Sequence, residues 1–345
     1  MMRISLIVLL MAFAMYPALG FRVPETQSDT LEIGSIDYFG YEGLNLAQFE
    51  GHLPIHVSDS LSVDAFHHEQ EKIKAIAKQF TGKHATDIAA VCCDARHRLE
   101  IYIGLSGASS RIPALNSPPH GHEHLSDRAI QLYDQYASDL VDAVRRGAAT
   151  EDDSNGYSVS NDPTLRDVEL RMRTYSLSHA AVLERVLLDS SEAQQRRASA
   201  CLLGYAERSA AQVRSLIEAA RDADEDVRNN ALRALWVLAA ASRTEGIQVP
   251  ATPFIDLLFS GRWTDRNKSS LLLERLTRKG NPSLLRELRN RAMVPLIEGA
   301  RWTDPGHCDP FLAILGRIGK IPEKRLQKLI RAGDKVQIIE AARRA

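Results

Sequence analysis

The chain has 345 residues, 44% of them apolar and 25% charged, with a formal net charge of −1. That length holds two modest domains, each able to bury a core. The lack of a basic excess excludes a protein that holds nucleic acid or an anionic membrane surface by charge alone.

Residues 1–20 have the three-part layout of a secretory signal. Met1-Met2-Arg3 is a short basic start, Ile4 to Met15 is apolar apart from Ser5, and Pro17 breaks the run. Ala18 and Gly20 place small residues at −3 and −1 of a cut before Phe21. The apolar run is about 12 residues, short of the ~20 that span a bilayer. A cleaved signal is therefore expected, with a periplasmic or secreted mature chain that does not stay inserted in the membrane.

Residues 33–105 read as a small α/β unit. Ile33–Phe39 alternates as a strand, and Gly40 to Gly43 turns the chain. Leu46, Phe49 and Leu53 mark a short helix that Pro54 ends. Ser62 is placed to cap a second helix, whose apolar residues Val63, Phe66, Ile73, Ile76, Ala77 and Phe80 recur every three or four positions until Gly82. Thr86–Cys93 and Leu99–Leu105 are two apolar strands, with residues 94–97 as their hairpin turn. Cys92 and Cys93, neighbours on a strand, should point to opposite faces and not bridge each other. Cys201 and Cys308 complete a set whose spacing matches neither a disulfide framework nor a zinc site.

The order strand, helix, helix, strand, strand resembles the POTRA module of envelope proteins. The resemblance is carried by that order, by the Tyr38-Phe39-Gly40-Tyr41 turn and by the connection Leu53-Pro54-Ile55-His56-Val57-Ser58-Asp59. It covers residues 33–105 and carries no catalytic motif.

Residues 106–161 read as a linker with one long helix. Residues 106–124 are rich in Gly, Ser, Pro and His. Ser126 starts a helix to about Arg146, striped by Ile130, Tyr133, Ala137, Leu140, Val141 and Val144 and closed by Gly147. Residues 148–161 form an acidic polar loop. Asp162-Pro163 then opens a helix, since Pro suits the first helical position.

From there the chain repeats itself. Arg-Trp-Thr-Asp occurs at Arg262–Asp265 and again at Arg301–Asp304, a spacing of 39 residues. At the same spacing, Phe254, Ile255, Leu257 and Leu258 match Met293, Val294, Leu296 and Ile297, while Leu272, Leu273 and Leu276 match Phe311, Leu312 and Leu315. A fixed period of this length marks stacked helix pairs. Residues 224–235 read Asp-x-x-Val-Arg-x-x-Ala-x-x-Ala-Leu, with a weaker copy 31 residues upstream in which Arg197 stands for Arg228. This pattern resembles HEAT repeats. The resemblance implies an α-solenoid of about four units over residues 165–320, in which Arg228 pairs with acidic turn groups, and a terminal cap at 322–345. The expected fold is thus an α-solenoid of HEAT-like helix pairs, spanning 162–345, behind a small N-terminal α/β domain.

Few residues carry chemistry. His120, His122 and His124 have the composition of a metal-binding loop, but a solvated linker is the expected role, because a metal site needs supporting groups around its ligands. Adjacent His67 and His68 point apart on a helix, and residues 152–156 lack the Gly and Glu of a calcium loop. No nucleophile elbow, phosphate loop or dinucleotide fingerprint is present. The expected inventory is therefore no catalytic, cofactor-binding or metal-ligating residue, and no cofactor. Trp263 and Trp302 are expected to pack over neighbouring repeats, with a binding ladder as the alternative. Arg262, Arg266, Lys268, Arg275, Arg278 and Lys279 form a positive stretch. A solvated helix face is the expected role of this stretch, with contact to an acidic partner as the alternative, in which those of Arg228, Arg233, Arg266 and Lys268 that are exposed on the concave side would meet it. The implied function is a non-enzymatic scaffold for a protein partner of unknown identity. The alternatives are an accessory or lyase-like enzyme of the kind found among short bacterial HEAT-like families, and a metal-binding module using the His loop.

Overall fold

The computed structural model describes residues 30–148, 150–241, 248–278 and 280–345. The expected signal, residues 1–20, lies outside them. No helix among the described residues is long and apolar enough to cross a membrane.

The N-terminal part follows the expected element order, with one addition. Strand β1 (Leu31–Phe39) leads to helix α1 (Leu46–Glu50), a two-residue strand β2 (Ser60–Leu61), helix α2 (Val63–Thr81) and the hairpin β3 (Asp87–Val91) and β4 (Leu99–Gly104). The sheet order is β2-β1-β4-β3, with β1 parallel to β4 and the other pairs antiparallel. Ser62 caps α2 by accepting from the Ala65 N–H, and Gly82 closes it in the left-handed conformation. Ile33, Ile88, Ile101 and Ile103 form one core with Phe49, Phe66 and Ile73 of α1 and α2. A bulge after Ile33 reverses the pleat of β1. As a result Asp37 and Phe39, with Ala89, Val91, Glu100 and Tyr102, fall on the other face and are covered by the helical part.

Helix α3 (Asp127–Arg145) begins at Ser126, whose hydroxyl bonds the Tyr175 hydroxyl instead of capping the helix. Residues 148–161 are not a plain loop. Strands β5 (Glu151–Asp152) and β6 (Val159–Ser160) pair there, because Glu151 is drawn in to Arg233 and Ser160 N–H to Glu169.

The rest is helical: α4 (Pro163–Asp189), α5 (Ala193–Leu203), α6 (Ala210–Ala219), α7 (Glu225–Ala241), α8 (Thr252–Leu257), α9 (Trp263–Thr277), α10 (Pro282–Ala300), α11 (Pro305–Ile318), α12 (Glu323–Arg331) and α13 (Lys335–Arg344). Asp162 caps α4 through the Thr164 and Leu165 N–H groups, with Pro163 at the first position. The helices pack as pairs, and the second members α5, α7, α9, α11 and α13 pack in sequence to form one continuous layer. Helix α10 bends at Ala292, because Pro295 lacks the N–H that would bond residue 291. The chain is therefore a helical solenoid carrying a small four-stranded sheet.

The structure also corrects the repeat register by one residue. Arg228 sends Nη1 to the carbonyls of Asp222 and Ala223, six and five residues back. Arg196, not Arg197, makes the same contacts to Ser190 and Ser191. In this register Ser199, Ala231 and Ser269 are equivalent, all fully buried, and their small side chains let the second helices approach.

Candidate functional site

The most constructed region lies where the sheet meets the solenoid. The two Arg-Trp-Thr-Asp copies are docking turns. In the first, the Trp263 N–H donates to Asp87 Oδ2 at 2.8 Å, and Arg262 pairs with the same carboxylate at 3.3 Å. In the second, Thr303 N–H donates to Asp37 Oδ2 at 2.8 Å and its hydroxyl to Oδ1 at 3.0 Å, while Trp302 Nε1 donates to the Tyr38 carbonyl at 3.0 Å. Asp37 and Asp87 sit on β1 and β3, with β4 between them. Two strand spacings are about 9.6 Å, close to the ~8–10 Å between packed helices. One tetrapeptide, repeated once per helix pair, thus meets an aspartate on each of two alternate strands, through the Trp N–H in one copy and the Thr N–H in the other. Trp263 and Trp302 are both buried and flank Tyr102 of β4, with ring centroids 4.9 and 5.2 Å away. They pack, as expected, but chiefly against the sheet.

Glu298 of α10 anchors the turn after β1. It accepts the backbone N–H groups of Gly40 and Tyr41 at 2.8 and 3.1 Å and the Arg266 guanidinium at 3.0 Å. Gly40 has φ 71°, and a Cβ there would meet the Leu105 carbonyl at 2.4 Å, so only glycine fits.

Most of the expected cationic face is not a surface, although Arg262 and Arg278 are exposed. Arg228, Arg233, Arg266, Lys268 and Arg275 are all buried. Arg196 grips Asp222 and Arg228 grips Asp265, each with two hydrogen bonds of 2.7–3.0 Å, and Arg266 holds Glu298. This ladder links successive repeats and realises the acidic-turn pairing expected of Arg228. Arg233 pairs with Glu151, and Arg275 pairs with Asp153 while lying over Trp236. Burial lowers the Lys268 ammonium to about 8, assisted by the nearby Arg233 charge. Lys279 lies outside the described residues.

Residues 107–110 turn against the loop after β1, and residues 111–125 then run as a strap along the turns between paired helices. Its backbone N–H groups at Arg111, Asn116 and Gly121 donate to the carbonyls of Phe259, Arg221 and Asp189, at 2.8, 2.7 and 2.8 Å. That is one donated N–H per repeat, at a step of five residues, and Gly121 also accepts the Ser191 N–H. His120, His122 and His124 are exposed on this strap; His124 lies 3.9 Å from Glu192, and the three form no ligand cluster.

Among the described residues, the group of three His, Cys, Asp or Glu side chains able to hold a metal is Glu100, Asp304 and His307. Glu100 comes from β4, and Asp304 and His307 from the first turn of α11. His307 Nδ1 lies 3.6 Å from Glu100 Oε2 and 3.8 Å from Asp304 Oδ1, and shares a 2.6 Å hydrogen bond with the Tyr102 hydroxyl. Glu100 Oε2 and His307 Nε2 are buried without a hydrogen-bond partner. Burial first, and then the Asp304 charge, raise the Glu100 carboxyl to about 9. Burial and then Lys268 lower the His307 imidazole to about 3. The arrangement can hold a shared proton or a cation. Sequence reasoning missed it, although a lone acid inside the apolar run Leu99-Glu100-Ile101-Tyr102-Ile103 was a signal.

Cys92 and Cys93 are joined by a disulfide, against expectation. Strand β3 ends at Val91, so strand alternation does not govern them, and the peptide bond between them is cis. Cys201 and Cys308 are free and buried.

No protein-family model matches the chain, and no curated protein matches it. Among solved structures, it is similar to the designed armadillo repeat protein YIII(Dq)4CqI, at 14% identity and a TM-score of 0.35, over 62% of this chain and 98% of that one. It is also similar to computationally designed armadillo repeat proteins for modular peptide recognition, at 16% identity and a TM-score of 0.36, with the same coverages.

Proposed function

We propose that this protein is an exported, non-catalytic scaffold that binds an extended segment of a partner protein, built from HEAT-like repeats and a POTRA-like module. The observation that carries this reading is the strap. Equivalent carbonyls on three successive repeats each accept one backbone N–H of an extended chain, a sequence-tolerant way to hold a peptide. Arg228, Arg233, Arg266 and Lys268 are buried and so are not offered to an acidic partner. Recognition instead works through the row of turns, from which a partner displaces residues 111–125.

The test removes the strap's donors. Arg111→Pro with Asn116→Pro deletes two of its N–H groups. A labelled peptide of sequence 111–125 should then bind the variant by fluorescence anisotropy and bind the wild type far more weakly. If it binds neither, the reading fails. Intact mass of secreted protein should start at Phe21; a retained precursor would refute export.

A further inference from the structure

We propose that Glu100, Asp304 and His307 bind one divalent transition-metal cation, of the zinc or manganese kind, that staples the sheet to the solenoid. The set is a neutral-imidazole nitrogen, the Asp304 carboxylate and the Glu100 carboxyl, which gives up its proton to solvent as the metal binds, a ligand chemistry suited to these ions.

The geometry is close to that of a bound site. Tetrahedral coordination with bonds of about 2.0–2.2 Å places ligand atoms roughly 3.3–3.6 Å apart. Here Nδ1 is 3.6 Å from the Glu100 oxygen and 3.8 Å from the Asp304 oxygen, and all three ligand atoms lie within 4.8 Å of one another. From His307 Nδ1, closure on either carboxyl oxygen needs movements of a few tenths of an ångström.

The second observation is independent of acidity. Glu100 is 1% exposed, and its Oε2, aimed at His307 Nδ1, has no hydrogen-bond partner. An unpartnered buried oxygen carries a desolvation penalty that a ligand removes. Glu100, Asp304 and Asp37 interact electrostatically as a group of acids, with Lys335 acting on Asp37. Lys268 faces His307 from α9 and is the opposing charge at the site. The Asp304 side chain is 18% exposed and offers the way in. Metal binding at Nδ1 displaces the Tyr102 hydroxyl from that lone pair and leaves it to hydrogen-bond a ligand carboxylate.

The staple joins elements some 200 positions apart in the chain, Glu100 on β4 and His307 on α11. It acts at the junction where both Arg-Trp-Thr-Asp turns dock, so its effect is on how firmly the sheet is held.

The test uses the whole mature chain, stripped with chelator. Calorimetry with zinc chloride, repeated with manganese chloride, should show one equivalent at a Kd of about 1 μM or tighter for at least one of the ions. Glu100→Gln should weaken that binding by about 100-fold or more, while Ala at His120, His122 and His124 together should leave it unchanged. X-ray absorption of the metal-loaded wild type should show one imidazole among oxygen ligands, which decides the matter even if Glu100→Gln does not fold. Absence of a first equivalent, a multi-imidazole spectrum, or a Glu100→Gln variant that keeps wild-type affinity would each overturn the proposal.

Discussion

Replacing Arg228 by Ala tests whether the arginine ladder is internal structure. The guanidinium makes four hydrogen bonds, two to Asp265 at 2.9 and 3.0 Å and two to the carbonyls of Asp222 and Ala223 at 2.9 and 3.1 Å. Arg228 is 3% exposed and Asp265 1%. Truncation leaves a buried carboxylate with the Ser260 hydroxyl as its remaining donor, at 2.6 Å, and two carbonyls without their partner. Breaking a buried pair from one side costs about 3–5 kcal/mol. At roughly 2–4 °C per kcal/mol for a domain this size, the melting midpoint should fall by about 6–20 °C. Urea unfolding followed by circular dichroism gives the same quantity. Salt should not mimic the loss, because a desolvated pair is little screened. Arg228→Lys, which keeps the charge but not the two-pronged geometry, should fall between Ala and wild type. A loss below about 1 kcal/mol would refute the reasoning, since that is the scale of an exposed ion pair.

Ala231→Leu should destabilise by about 1–3 kcal/mol, since the site is fully buried and its equivalents are Ser199 and Ser269; an unchanged melt would refute the register. Asp87→Ala should loosen the sheet, because it removes the acceptor of the Trp263 N–H; about 1–3 kcal/mol and a red-shifted tryptophan emission in partial denaturant are expected, and a wild-type emission profile would argue against docking by that turn. Burial and then the Glu151 charge raise Glu169 to about 7, and burial and then Asp87 raise Glu225 to about 7. Carboxyls with raised folded-state values contribute stability that is fully present below about 4.5 and lost as pH rises through about 7. Urea midpoints should therefore decline from pH 5 to pH 8, with a smaller decline in Glu169→Gln; an equal slope in the variant would remove Glu169 from the account.

The sequence alone was enough to mark most of the helices, the Ser62 and Asp162 caps and the stacking of helix pairs, though not the Ser126 contact or the exact register of the first repeat. Apolar spacing of three and four, Ser62 and Asp162 at helix starts, and a 39-residue repeat are local or periodic signals, and each follows from backbone chemistry within a turn or two. The charged residues were a different matter. The acidic-turn pairing of Arg228 was legible through the repeat resemblance, but its partner was not, and Arg266 looks like a surface residue because charge is normally solvated; only the apposition of consecutive repeats brings Asp265 and Glu298 to them. The second apolar face of the sheet, the covering of both tryptophans and the meeting of Glu100 with His307 were likewise decided by docking. A contact between positions about 200 residues apart has no local periodicity, so it becomes visible only when the tertiary structure removes both groups from water.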